Sequence, residues 1–175
     1  MEGMLTKGQQ IATAVVRIAV GTVFLSAGLE KALGAEPFSA AGFLKFGTAG
    51  SPLFATAVDK VVYNPTQDFW AGLAANATVL PIINWLVVAG EIAIGLALVL
   101  GLFTRFAAIA GTLMMGLFFV AIWDLGHGVV NEQLLIAIVA SYLGVMGAGR
   151  YYGLDSILEK ATAVRQAPQL RYVLG

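Results

Sequence analysis

Glu91 is an acid inside an apolar run. It lies near the middle of Pro81 to Arg105, PIINWLVVAGEIAIGLALVLGLFTR, whose one other ionisable group is the closing arginine. A helix rises about 1.5 Å per residue through a hydrocarbon core roughly 30 Å thick, which puts this carboxyl about 15 Å from either surface. An unpaired carboxylate at that depth is expensive, so Glu91 must be protonated, paired, or turned toward water or a ligand. The nearest candidates are Arg17 and Lys31. Arg17, Gly21, Phe24, Gly28 and Lys31 follow one another at helical spacing and share one face. Arg17 lies roughly 9 Å in from its end of the helix and reaches further with its long side chain, so it is the expected partner of Glu91. Lys31 is expected at the opposite interface, either snorkelling to water or holding a polar group. Glu91 shares its own face with Asn84, Val88, Gly95 and Leu98, a polar and small stripe that reads as packed and inward-facing.

These residues need membrane helices to hold them. Of the 175 residues 59% are hydrophobic and 11% charged, with a mean hydropathy of +0.85, too apolar for a soluble domain of this size. Hydropathy predicts an all-α integral membrane four-helix bundle, a single domain over 1–175, with spans at about 10–33, 80–102, 106–123 and 133–147. The first span carries Arg17 and is read as a retained helix rather than a cleaved signal. The connection 34–79 is too long for a bare loop. Ser51-Pro52 and Asn64-Pro65 each signal a helix start, and the stretches SPLFATAVDKVVY and TQDFWAGLAAN are amphipathic, so both are expected as short helices on the outer membrane surface, roofing the bundle. Ala107 with Gly111, and Ala140 with Gly144 and Ala148, give the third and fourth spans small-residue seams. The tail 148–175 carries an interfacial Arg150-Tyr151-Tyr152 belt and a capping box at Ser156 and Glu159.

Four spans sort Lys7, Arg17, Arg105, Arg150, Lys160, Arg165 and Arg171 to one side, and Lys31, Lys45 and Lys60 to the other. By the excess of basic residues, both termini are expected in the cytoplasm, with the chain in the plasma membrane. The outer side then also carries Glu30, Glu36, Asp59, Asp68, Asp124 and Glu132, so its field repels anions. With no cysteine and one histidine, the sequence excludes a dithiol pair, a cysteine-bound iron-sulfur cluster and bis-histidine haem within one chain, and it shows no flavin motif. Asp124, His127 and Glu132 could ligate a metal by type, but beside glycines they read as a solvated loop, and no metal site is assigned. Nothing in the sequence points to nucleic acid.

The pieces RIAVGTVFLSAGLEKALG, AGEIAIGLALVLGLFTRFAAIAG and GRYYGLDSIL resemble the DoxX/DoxD family of small four-helix membrane proteins. The ordered set Arg17, Gly28, Lys31, Glu91, Gly101, Arg105 and Asp155 carries the resemblance, which extends over nearly the whole chain and includes the GFLKF piece of the first loop. The resemblance implies thiosulfate:quinone oxidoreductase activity, in which a DoxD-type membrane chain works with a second, smaller subunit. A quinone carbonyl needs a hydrogen-bond donor and its reduction needs protons. On that reading Glu91, Arg17 and Lys31 are the catalytic candidates, with Glu91 moving protons and Lys31 placing the sulfur anion. Asn84, Trp85, Gly28 and Gly95 are the candidate ligand-binding wall, and quinone is the expected cofactor. Two other readings stay open: a non-catalytic subunit that docks or stabilises a partner protein or pairs with itself, its charged pair fixing helix register, and a small-solute carrier.

Overall fold

Thr6 starts the first helix with a reciprocal cap. Its hydroxyl accepts from Gln9 N–H at 3.3 Å, and its own N–H donates to Gln9 Oε1 at 2.8 Å. The helix, α1, runs Lys7–Leu33 and stops where Gly34 turns extended ahead of Pro37. The structure is a computed structural model that describes residues 5–47, 64–122, 130–161, 169 and 172–175. After α1 the chain folds back through a π-helical turn at Phe43–Gly47, and then come α2 (Gln67–Ala75), α3 (Val79–Leu100), α4 (Thr104–Ile122) and α5 (Glu132–Val145). A short 3₁₀ turn at Ala148–Arg150 and a four-residue helix α6 (Asp155–Leu158) follow.

Helices cover the four stretches expected as spans, with ends shifted by a few residues. Helices α1, α3 and α4 are long and apolar enough to cross a membrane. The expected fourth span is the 14-residue α5. At about 1.5 Å per residue it is roughly 21 Å long, short of the hydrocarbon thickness. Of the two expected surface helices, TQDFWAGLAAN is α2, whereas SPLFATAVDKVVY lies outside the described residues. So do Asp124 and His127. The capping box at Ser156 and Glu159 is not formed: Ser156 Oγ donates to Gly153 O at 2.7 Å, and Glu159 pairs with Arg150 at 2.8 Å. The short helix begins at Asp155 with Leu154 as its N-cap, so Ser156 lies inside its first turn and not at the capping position.

Two tightly packed pairs make the bundle. Helix α1 lies against α3 with backbones in contact: a Cβ on Gly28 would meet Ile92 N at 2.9 Å, and one on Gly95 would meet Leu25 Cα at 2.7 Å. Only glycine permits that approach. Helices α4 and α5 pair through Ala108 against Gly144, and through a 3.0 Å bond between the Thr112 and Ser141 hydroxyls. The seam between α3 and α4 is looser. Val20, Phe24, Ile94, Leu98 and Leu143 fill its lower part.

The register of α1 on α3 has a consequence for the other end. With Gly28 opposite Ile92 and Gly21 opposite Val99, the end of α1 reaches only to the level of about residue 87. Roughly 12 Å of α3 therefore stands beyond α1. The returning chain and α2 cover that length. Ala40 N–H donates to Asn84 Oδ1 at 2.8 Å, and a second apolar cluster forms from Ala40, Leu44, Trp70, Ala74 and Ala121.

Candidate functional site

Glu91 is buried on α3, and its partner is Lys31. The Lys31 ammonium lies 2.9 Å from Oε2 and 3.1 Å from Oε1 of the carboxylate, and donates to Ala27 O at 3.2 Å. The Glu91 side chain is 3% exposed and that of Lys31 26%. The Phe38 ring centroid is 5.7 Å from Nζ, so an aromatic face lies against the cation. An ammonium has three protons, and all three have acceptors here. A ligand oxygen at Nζ must take over one of these bonds.

The expected pairing of Arg17 with Glu91 is not formed. Gly28 is level with Glu91, and Arg17 lies eleven residues back along α1, about 16 Å away along the helix axis. Arg17 instead enters a knot at the opposite end of the bundle. Its Nη1 donates to Ala148 O at 2.8 Å and Tyr151 O at 3.1 Å, and its Nη2 to Tyr152 O at 3.3 Å. The chain after α5 is a 3₁₀ turn and a short irregular stretch that turn these carbonyls toward α1, and a guanidinium has enough donors to collect several of them. Asp155 is the negative charge nearby. Its carboxylate accepts from Phe103 N–H at 2.8 Å, Thr104 N–H at 2.9 Å and Gly175 N–H at 2.9 Å. It thereby caps the start of α4 from across the bundle, where open N–H groups and the helix dipole favour an anion.

The seven residues that carried the family resemblance thus fall into two groups. Gly28, Lys31 and Glu91 make one site at the loop end, while Arg17, Gly101, Arg105 and Asp155 belong to the end where the tail packs. Gly101 closes α3 in the left-handed region, at φ 66°, with Leu102 N–H returning to Ala97 O at 2.9 Å.

Above Lys31 and Glu91 is a cavity of about 610 Å³. Phe38, Phe43, Phe69, Trp70 and Phe118 supply aromatic wall, and Leu86 and Leu117 border it on the α3 and α4 sides. Leu86 is 52% exposed and Leu117 58%, so the cavity opens sideways through the α3–α4 seam onto the apolar surface of the bundle. The ion pair is its polar floor. Asn64 holds the α2 side in place: its Nδ2 donates to Ala121 O at 2.7 Å and its Oδ1 accepts from Thr66 N–H at 2.9 Å. Thr66 Oγ1 in turn accepts from Trp70 Nε1 at 2.9 Å. An apolar, lipid-soluble ligand with a hydrogen-bond acceptor at one end matches this lining.

Of the expected ligand wall, Asn84 uses its amide oxygen on Ala40 and faces the clefts outside the cavity with Trp85, which is 68% exposed. Gly28 and Gly95 serve the α1–α3 approach. Conversely, Trp70, which was not among the expected ligand-wall residues, is buried and lines the cavity. Its position in α2 beside Phe69 was the available signal. Phe38, Phe118 and Gln133 line the cavity too, and nothing in their spacing marks them. Among the described residues no group of three His, Cys, Asp or Glu is placed to hold a metal.

Fold and site together define a helical membrane protein with a lateral apolar cavity floored by a buried ion pair. A family model described as TQO small subunit DoxD matches residues 12–173, and the chain belongs to that family. The description makes DoxD itself a small subunit, the reverse of the size order implied by resemblance. No curated protein and no solved structure matches the chain.

Proposed function

We propose that this chain is the quinone-binding membrane subunit of a thiosulfate:quinone oxidoreductase. One observation carries the reading: the lateral cavity ends at Lys31 and Glu91. A quinone supplies a two-electron acceptor that lives in the bilayer. The lateral opening admits such a molecule without passage through water, the aromatic walls pack its ring, and Lys31 gives a donor to a carbonyl oxygen. Glu91 holds the ammonium in place and stays close enough to exchange a proton with it. Because Lys31 is matched by Glu91, it is poorly suited to placing the sulfur anion. Thiosulfate oxidation then falls to a partner polypeptide, in keeping with a family described as a subunit.

Trp70 reports on the cavity. In a background with Trp85→Phe and Trp123→Phe, a short-tailed benzoquinone should quench Trp70 fluorescence saturably, and Ile83→Phe, which fills the cavity, should weaken that quenching about tenfold. Quenching that rises linearly with quinone and ignores Ile83→Phe would be partition into lipid, and the proposal would fall.

A further inference from the structure

Lys31 and Phe38 border three spaces at once. On one side is the apolar cavity. On the other are two open clefts, one of about 310 Å³ lined by Glu30, Lys31, Gly34, Glu36 and Phe38, and one of about 590 Å³ that runs past Pro37 to Asn84 and Trp85. The described charged groups around Lys31 are few: Glu91 from α3 on the cavity side, Glu30 from α1 and Glu36 from the chain after it on the cleft side. Lys31 and Phe38 are the residues common to the linings of the cavity and both clefts, with Nζ 5.7 Å from the ring centroid.

We propose that Lys31 relays protons across this wall and that Phe38 is its seal, so that water in the clefts reaches Nζ while the cavity stays dry. The proposal rests on the reading of the cavity as a quinone site. Lys31 passes a proton from Nζ to a ligand oxygen made basic by the electron pair of the sulfur donor. The N–H bond breaks as the O–H bond forms, and a proton drawn from bulk solvent and conducted as hydronium along the cleft water returns to Nζ, leaving neutral water behind. Two turns supply the two protons that quinol carries beyond quinone. Glu91 remains opposite the nitrogen throughout and holds it in place. Glu30 and Glu36 make the cleft attractive to cations and repellent to anions, because the charge of Lys31 is already answered by Glu91. The cleft is thus a route for protons and not for a sulfur oxyanion.

The sequence contains no cysteine, so single introduced thiols report on each space without background. Glu36→Cys places one in the cleft and Phe118→Cys one in the cavity. In lipid vesicles exposed on both faces to a cationic methanethiosulfonate, Glu36→Cys should react about a hundredfold faster than Phe118→Cys, and an anionic reagent should be slower than the cationic one at Glu36→Cys. Adding Phe38→Ala should raise the rate at Phe118→Cys about tenfold, and the milder Phe38→Val should raise it less. Equal reactivity of the two thiols with Phe38 intact, or indifference of Phe118→Cys to both Phe38 variants in folded protein, overturns the seal. For the relay, Lys31→Arg, which keeps a charge opposite Glu91 and a donor for the carbonyl but does not release its proton, should in native membranes supplied with thiosulfate still bind quinone and reduce it about tenfold more slowly. An unchanged rate with quinone bound overturns the relay. Failure of the wild-type protein to bind quinone removes the quinone reading, while the labelling result still decides whether the wall exists.

Discussion

At the scale of single residues, the buried acid sets the terms, and its partner is the base that α1 carries near its end. Lys31→Met leaves Glu91 buried without a counter-charge, a loss of about 3–5 kcal/mol. Thermal unfolding in detergent should therefore shift sharply for Lys31→Met, and much less for Lys31→Met combined with Glu91→Met, which removes both charges at similar volume. A double variant as unstable as the single one would mean the pair is not a coupled unit. Arg17 plays a different part from the one its sequence position suggests. Arg17→Lys keeps the charge but loses the fork that spans Ala148, Tyr151 and Tyr152, and should cost about 2 kcal/mol in the same assay. The types and faces of Arg17, Lys31 and Glu91 were legible from spacing alone. Their pairing was not, because it depends on the level of each helix, and depth counted from a helix end assumes that neighbouring helices end together. Here the glycine contacts between α1 and α3 set the level instead.

At the scale of elements, the long helices follow their hydropathy, and the short segments are fixed by contacts that local sequence does not announce. Asp155 caps α4 from 51 residues away in sequence, and that partnership has no periodic signature. Asp155→Ala should lose several charge-assisted bonds and destabilise the protein by about 3 kcal/mol, with hydrogen exchange rising first at Phe103 and Thr104. If exchange there stays slow, the cap is not what orders the start of α4. Gly101 is the other fixed point of that end. Gly101→Ala places a side chain in the left-handed region at a cost of about 1–2 kcal/mol and drives its Cβ against the Arg17 guanidinium, so its melting temperature should fall more than that of an ordinary helix-end substitution. Asn64-Pro65 was readable as the entry to α2, and the apolar face of α2 as the side that packs. That Asn64 would dock on the last carbonyls of α4 was not, since an asparagine before proline is equally at home in a free turn.

At the scale of the whole molecule, the cavity exists because α1 ends well short of α3 and the chain returns over the gap. Membrane character and the helical bundle could be read from composition and apolar runs. The cavity could not, because it is the space left between elements, and only the register defines it. Filling it should cost function before stability: Leu117→Trp, on the exposed α4 side of the doorway, should weaken quinone binding about tenfold while unfolding shifts little, in a background that also carries Trp85→Phe and Trp123→Phe, with a Trp70→Phe control. Equal quinone binding in this variant and the parent would place the ligand elsewhere. The step between α1 and α3 also lies toward one end of the helices, so the doorway between Leu86 and Leu117 faces a single leaflet. A ligand that arrives that way is dosed by its mole fraction among the lipids of that leaflet, not by its molarity in buffer. Doubling the lipid at constant protein and total ligand should then halve occupancy at low loading, and a dissociation constant for such a ligand is properly written as ligand per lipid.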